Sequence, residues 1–165
     1  MKICVECYAD EKLVTSLQPE YAKRILHHGG KGDIVNYLRK ASTTAGIGLV
    51  DEDPGSTQPR DLRNNYIEIE SSGAIRYFRH REKNSCFIIM LCPRLEEWLL
   101  ARAKAAGIDR AAYGLPDTGE RLHEYAHYER EPKFEEFMKR LLTSGDAEIE
   151  QLREWIGRSL PEGLP

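Results

Sequence analysis

Acidic side chains follow apolar runs at three places in this chain. The three groups are Glu6 with Asp10, Asp51 with Asp53, and Glu96 with Glu97. A cluster of unpaired carboxylates repels itself, so it persists only when it is protonated, paired with a cationic side chain or bridged by a hard cation. Mg²⁺ uses one or two carboxylates together with waters and substrate phosphates. The three groups therefore predict a site for Mg²⁺ or Mn²⁺ if the fold brings them together.

The same acids also have an ordinary structural interpretation. Acids at helix starts act as caps and interact favourably with the helix dipole. A D-x-D sequence before Pro54-Gly55 is also common in plain turns. Glu6 is the stronger candidate, because a carboxylate that ends an apolar strand needs a compensating partner.

Hydrophobic and polar periodicity predicts how these acids are positioned. We expect strands at 2–7, 46–50 and 85–91, a hairpin of 66–70 with 74–80, and helices at 9–17, 33–42 and 94–106. The segment 22–28 fits a strand or a helix, and 56–64 is expected to be a polar loop. Further helices are expected at 118–128, 132–143 and 145–160.

Strands that alternate with helices indicate an α/β fold with a mainly parallel sheet and helices on both faces. In such sheets, functional sites lie at the carboxyl ends of the strands. We expect an α/β domain at 1–106, with a β-hairpin insertion, and a helical extension at 107–165 packed on it.

Composition excludes several classes of protein. The chain has 165 residues, 41% hydrophobic and 31% charged, which is typical of a globular domain. No apolar run approaches the length of a membrane span, and the N-terminus does not resemble a signal peptide, so we expect a cytoplasmic protein without a membrane partner. The net charge of −3 argues weakly against broad nucleic-acid binding.

One local basic cluster departs from this balance. Its members are Arg76, Arg79, Arg81 and Lys83, with the aromatic pair Tyr77-Phe78 among them. Basic and aromatic side chains together can contact phosphates and stack on bases, so these residues are candidates for nucleic-acid binding. The alternative, which composition favours, is the solvated face of a hairpin strand.

Three short motifs together resemble the topoisomerase–primase (TOPRIM) domain family. They are V-E-C-Y-A-D at 5–10, G-G-K-G at 29–32 and L-V-D-E-D at 49–53. The family has a Glu that ends its first strand and a D-x-D that ends its third. The G-K pair ahead of the second helix is similar to the TOPRIM nuclease domains of overcoming-lysogenization-defect proteins and small stand-alone relatives. The resemblance covers about residues 1–106.

The resemblance implies roles for individual residues. It makes Glu6 the catalytic or ligand acid, Asp10 its companion, Asp51 and Asp53 the metal pair, and Lys31 a side chain that stabilises phosphate charge. The run P-R-L-E-E-W at 93–98 resembles a late acidic motif of some such proteins, which makes either Glu96 or Glu97 a further ligand. The cofactor implied is Mg²⁺ or Mn²⁺.

The function implied is metal-dependent phosphodiester chemistry on nucleic acid, by hydrolysis, with an ATPase as a possible partner protein. The family usually has Gly after the strand-one Glu, where this chain has Cys7. That departure and the negative net charge favour a rival hypothesis, a non-catalytic TOPRIM-like module that binds a phosphate ligand or a partner protein.

A separate motif raises a third hypothesis. The sequence from His123 to His127 fits H-E-x-x-H, in which two histidines on one helix face hold zinc and Glu124 is the base of a metalloprotease. No histidine follows His127 to complete the ligand set. We therefore expect that this pair does not hold zinc, and we keep the protease as an outside alternative.

Overall fold

The computed structural model describes residues 1–160 and contains one six-stranded sheet. The strands are β1 (Lys2–Val5), β2 (Ile25–His27), β3 (Gly46–Asp51), β4 (Tyr66–Ser72), β5 (Ile75–His80) and β6 (Cys86–Leu91). The helices are α1 (Tyr8–Leu17), α2 (Lys31–Arg39), α3 (Arg60–Asn65), α4 (Leu95–Ala105), α5 (Gly119–Glu124), α6 (Pro132–Leu142) and α7 (Ala147–Ser159). Short 3₁₀ segments cover Pro19–Arg24, Arg110–Tyr113 and Tyr128–Arg130. No helix among the described residues is long and apolar enough to cross a membrane.

The sheet has the order β2-β1-β3-β6-β5-β4. Strands β2, β1, β3 and β6 are parallel neighbours, whereas β5 and β4 form an antiparallel hairpin at one edge. The predicted fold class is confirmed: the chain is an α/β protein with a mainly parallel sheet, flanking helices, a hairpin and helices at its C-terminal end. Because β1 and β3 are adjacent and parallel, their carboxyl ends lie next to each other.

Helices cover both faces of the sheet. On one face, α1, α4, α6 and α7 share a large core that includes Trp98, Trp155, Phe134 and Phe137. On the other face, α2 and α3 cover a smaller core that contains Ile34, Leu38, Val50 and Leu62. Burial on both faces explains why β3 and β6 are almost continuously apolar. The polar residues that follow the parallel strands lie at the carboxyl-end edge of the sheet, between the two helical layers.

Gly48 sets the distance between α2 and the sheet. A Cβ atom at this position would lie 2.6 Å from Ile34 Cγ2 and 2.9 Å from Ile88 Cδ1. Only glycine therefore lets α2 pack directly on the middle of β3. This contact fixes the N-terminus of α2 beside the end of β3.

The helices after residue 106 belong to the same hydrophobic core as the sheet. Trp98 donates a hydrogen bond from Nε1 to Glu148 Oε2 at 2.9 Å. Tyr77 Oη lies 2.6 Å from Ser159 Oγ in a buried contact. These polar contacts, together with the shared core, attach α7 to both the hairpin and α4.

Two segments differ from the sequence prediction, at 56–64 and 118–128, and the sequence of a third, at 22–28, fits both a strand and a helix. The segment 22–28 is a 3₁₀ turn followed by the short strand β2, and the predicted loop at 56–64 contains α3. Sequence patterns miss α3 because Leu62 is its only buried residue. The predicted helix at 118–128 is α5 alone, which ends at Glu124; His127 then has a left-handed backbone with φ of 61°.

Candidate functional site

Glu6 lies where the ends of β1, β3 and α2 meet. Its Oε1 accepts a hydrogen bond from the main-chain N–H of Asp51 at 3.0 Å. Its Oε2 accepts one from the main-chain N–H of Lys31, also at 3.0 Å. Two main-chain donors therefore fix the carboxylate of Glu6 beside the last residue of β3. The structure brings Glu6 and Asp51 together, as their strand-end positions predict.

Burial raises the pKa of Glu6 despite these donors. The Asp51 N–H and the Lys31 charge oppose the rise, and the charge of Asp53 adds to it. A carboxylate whose pKa is raised above its ordinary value is a stronger base than an exposed glutamate.

Asp51 has the most perturbed carboxyl group of the site. Burial raises its pKa to about 9, and the charges of Asp10, Glu6, Glu96 and Asp53 add to the rise. Its Oδ1 accepts a hydrogen bond from the N–H of Leu95 at 2.9 Å, which caps the first turn of α4. Its Oδ2 has no hydrogen-bond partner among the described residues. Without a compensating cation, Asp51 holds a proton at neutral pH.

Asp10 is a buried acid that joins α1 to Glu6. Its Oδ2 accepts hydrogen bonds from the main-chain N–H groups of Glu6 and Cys7, both at 3.1 Å, and lies 3.4 Å from Cys7 Sγ. Burial, and next the charge of Glu6, raises the pKa of Asp10 to about 7. Asp10 therefore has a capping role at the start of α1, and its Oδ1 has no partner among the described residues.

Asp53 does not share a strand face with Asp51. The strand β3 ends at Asp51, and Asp53 has a left-handed backbone with φ of 52°. Its carboxylate pairs with Arg94 Nε at 3.1 Å and lies 3.5 Å from Lys31 Nζ. The chain turns between Asp51 and Asp53, so the two side chains do not leave one strand face as a pair. Two cations neutralise Asp53, whereas Asp51 faces mainly other acids.

Lys31 is buried, with 8% exposure. Its ammonium group donates to the main-chain oxygens of Asp51 at 2.5 Å and Glu52 at 2.8 Å, and lies 3.5 Å from Asp53 Oδ2. An ammonium group has three donors, so these three acceptors engage it fully. In this arrangement Lys31 fixes the end of β3 to the start of α2.

The structure separates the two candidates Glu96 and Glu97. Glu96 is 4% exposed, and its Oε1 accepts a hydrogen bond from Tyr128 Oη at 2.9 Å and lies 3.0 Å from His123 Nδ1. Its Oε2 is buried and has no hydrogen-bond partner. The charge of Glu96 contributes to the raised pKa of Asp51. Glu97 also has a buried Oε2 without a hydrogen-bond partner, but its Oε1 lies 3.8 Å from Arg94 Nη1. Of the two acids, Glu96 is therefore the one that we group with Glu6, Asp10 and Asp51.

The H-E-x-x-H motif does not form the helical geometry that a zinc protease requires. Helix α5 ends at Glu124, so His123 and His127 do not lie on one continuous helix. His123 contacts Glu96, whereas His127 Nδ1 lies 3.5 Å from Glu129 Oε1. The two rings therefore have different partners, which removes the geometric basis of the protease alternative.

The acidic cluster consists of Glu6, Asp10, Asp51 and Glu96, whose carboxylates are of the kind that binds divalent cations. Among the described residues, no group of three or more His, Cys, Asp or Glu side chains is arranged to hold a metal ion. Mg²⁺ and Mn²⁺ can bind through one or two carboxylates. The mutual repulsion of Asp51 and Asp10 and the unpartnered Glu96 Oε2 both fit a nearby cation. Asp51, with Asp10 or Glu96, is the part of the chain that could hold it.

The predicted basic cluster does not form one free basic face. Arg76 and Arg79 lie three residues apart on β5 and so point to opposite faces of the sheet. Arg76 pairs with Glu68 through Nε at 2.9 Å. Lys83 Nζ lies within 2.6 to 3.2 Å of four main-chain oxygens at the C-terminal end of α2 and after it, which share its three donors. Of the predicted set, Arg76 and Lys83 are engaged within the protein, whereas Arg81 is exposed.

Two residues of the site, Arg94 and Tyr128, are absent from the sequence prediction, and His123 contacts an acid of the site instead of the zinc of the metalloprotease alternative. Arg94 pairs with Asp53 and directly precedes the first turn of α4. His123 and Tyr128 hold Glu96 from 27 and 32 residues away along the chain. Arg94 could have been found from its place beside the acidic run at 93–98. The other two follow only from how the C-terminal helices pack.

Comparison of the chain with protein-family models, curated proteins and solved structures found no match. The class of protein is therefore defined by its fold and site: an α/β domain with a buried acidic cluster at the carboxyl ends of adjacent parallel strands.

Proposed function

We propose that this chain is a Mg²⁺- or Mn²⁺-dependent phosphodiesterase that hydrolyses nucleic acid. The observation that carries the proposal is the meeting of Glu6 and Asp51, on neighbouring parallel strands, with Asp10 and Glu96 close enough to raise the pKa of Asp51. Strongly perturbed carboxyl groups in a cluster are typical of functional sites. The resemblance to TOPRIM domains in the motifs at 5–10 and 49–53 supports the same chemistry.

In this proposal the residues of the chain have distinct roles. Asp51, with Asp10 or Glu96, would hold the cation, which when bound neutralises phosphate charge and polarises the phosphorus–oxygen bond. Glu6 takes the proton from the attacking water, because its two main-chain donors keep it oriented while burial raises its pKa. Lys31 is a positioning residue that fixes the segment carrying Asp51.

The rival function is a non-catalytic module that binds a phosphate ligand or a partner protein. Two observations favour it. Cys7 stands where the TOPRIM family usually has glycine, and its Sγ lies 3.4 Å from Asp10 Oδ2. Asp53 is already neutralised by Arg94 and Lys31. Both observations reduce the number of acids that remain for a cation.

Cleavage of labelled DNA and RNA separates the two functions. We expect wild-type protein to cleave at least one of single- and double-stranded DNA or RNA in Mg²⁺ or Mn²⁺, but not in EDTA. Asp51→Asn and Glu6→Gln should abolish cleavage, while Glu124→Gln, which changes an exposed acid outside the cluster, should retain it. Binding of nucleic acid or of a phosphate ligand without cleavage in either metal would support the rival. Cleavage that persists in Asp51→Asn would contradict the proposal.

A further inference from the structure

A polar groove runs between α2 and α3 on the smaller-core side of the sheet. Its volume is about 560 Å³. The side chains that line it and carry polar groups are Asn36, Arg39, Arg60, Asp61, Asn64 and Asn65. The groove therefore presents two guanidinium groups and three amides against one carboxylate.

The two arginines of the groove are available to a ligand. Arg39 and Arg60 are both exposed, and their guanidinium groups have no ion pair or hydrogen bond with any residue in the part of the chain that the structure describes. Asp61, the one acid, is partly engaged because its Oδ1 accepts a hydrogen bond from Asn65 Nδ2 at 2.6 Å. This contrasts with Arg76 and Lys83, whose donors are used within the protein.

The groove begins beside the acidic cluster. Gly32, at one end of the groove, follows Lys31, whose ammonium group contacts the main chain of Asp51. The opposite wall is formed by Pro59 and α3. A hydrogen bond from Gln58 Nε2 to Glu52 O at 2.6 Å holds the loop that leads from Asp53 to this wall. The groove is thus connected to the proposed site through the backbone at Lys31 and through this loop, and no member of the acidic cluster lines it.

Helical geometry sets the length of the groove. Gly32, Asn36 and Arg39 are spaced by four and three residues, so they lie on one face of α2. Seven residues of helix rise about 10 Å. A stacked nucleic-acid strand advances about 3.4 Å per nucleotide, so this face matches about three nucleotides.

We infer that this groove binds the phosphates of the nucleic-acid strand next to the reacting phosphate, with Arg39 and Arg60 as the phosphate contacts. The inference rests on the proposed function for the class of its substrate. Guanidinium groups bind phosphate through two parallel hydrogen bonds, and amide side chains add contacts to the phosphate and sugar. The nucleic-acid surface is therefore this groove and not the basic cluster on β5.

The test is the salt dependence of binding by the full chain in EDTA, where no cleavage is expected. Fluorescence anisotropy with a labelled single-stranded oligonucleotide, repeated with a labelled duplex, gives the affinity between 50 and 200 mM salt. Each phosphate contact contributes about 0.7 to 0.9 to the slope of log K against log [salt], so Arg39→Gln with Arg60→Gln should lower the slope by about 1.4 to 1.8. At 0.1 M salt this corresponds to an affinity loss of about 25- to 60-fold.

A matched control removes the same charge elsewhere. Arg121→Gln with Arg140→Gln changes two other exposed arginines and should leave both slope and affinity near the wild-type values. Equal losses in the two double variants would show an effect of net charge only and would overturn the inference, as would unchanged binding by the groove variant. Absence of wild-type binding to either probe would also overturn it. Normal groove-dependent binding without cleavage in Mg²⁺ or Mn²⁺ would leave the inference standing and refute the proposed hydrolysis instead.

Discussion

Asp51→Asn is expected to make the metal-free protein more stable at neutral pH. The pKa of Asp51 is about 9 in the folded protein against 3.8 for an unperturbed aspartate, because the group is buried among other acids. The folded state therefore holds a proton that the unfolded chain releases above pH 4. Stability contributed by this proton is complete below pH 4 and is lost as the pH rises towards 9.

The expected magnitude follows from that difference. One proton held only by the folded state costs about 1.4 kcal/mol per pH unit, so wild type should lose about 3 kcal/mol between pH 5 and pH 7 through Asp51 alone. Asparagine cannot titrate, yet its Oδ1 still accepts the hydrogen bond from Leu95 N–H that Asp51 accepts at 2.9 Å. The variant should therefore keep the cap of α4 and show a flatter pH dependence.

Urea unfolding in EDTA at pH 5, 6, 7 and 8 gives the free energy of unfolding directly. A repeat with Mg²⁺ or Mn²⁺ should stabilise wild type by about 2.7 kcal/mol at one hundred times the dissociation constant, and should not stabilise Asp51→Asn. Asp53→Asn is the matched control: it removes the ion pairs with Arg94 and Lys31 and should destabilise the protein. Parallel pH profiles for wild type and Asp51→Asn would refute the reasoning, since they would mean that Asp51 is ionised without help from a cation.

Three further substitutions test how the site is supported. Lys31→Met should lower the free energy of unfolding by about 1 to 3 kcal/mol, because it removes the Lys31 donor from the main-chain oxygen of Asp51 and one of the two side-chain donors from that of Glu52. Urea unfolding measures this, and a loss below 0.5 kcal/mol would contradict it. Lys83→Met should lower the free energy of unfolding by about 2 kcal/mol in the same assay, because its ammonium group donates to main-chain oxygens at the end of α2 and after it. The affinity for nucleic acid should stay unchanged. A large loss of affinity with normal stability would show instead that Lys83 contacts phosphate. Gly48→Ala should destabilise the protein by about 1 to 3 kcal/mol, because the new methyl group would lie 2.6 Å from Ile34 Cγ2. A thermal melt measures this. An unchanged melting temperature would show that α2 can move away from β3 at no cost in stability.

The sequence predicted the part of the site that follows from strand ends. The apolar run at 46–50 predicts β3, and adjacent parallel strands place Glu6 next to Asp51. Asp53 could not be placed in this way, because its position depends on a left-handed residue after the strand and on a pair with Arg94. Periodicity describes a regular element and does not extend past its end.

Contacts between distant parts of the chain account for the other differences between the predicted and the observed site. Glu96 and Glu97 are equivalent in sequence, and only the packing of His123 and Tyr128 against α4 distinguishes them. Lys83 is part of a basic run, but its partners are the main-chain oxygens at the end of α2, more than forty residues earlier in the sequence. Local composition indicates how many charges a segment has and does not indicate which of them are already used inside the protein.

The most direct test of the central claim is the single-turnover cleavage rate of a 5′-labelled oligonucleotide as a function of Mn²⁺ concentration. The proposed role of Glu6 as base predicts that the wild-type rate rises with Mn²⁺ to a plateau, and that Glu6→Gln lowers this plateau by about 10² to 10⁴ while oligonucleotide affinity in EDTA is unchanged. A wild-type rate that does not respond to Mn²⁺, or an equal plateau in Glu6→Gln, would contradict metal-dependent hydrolysis at this site.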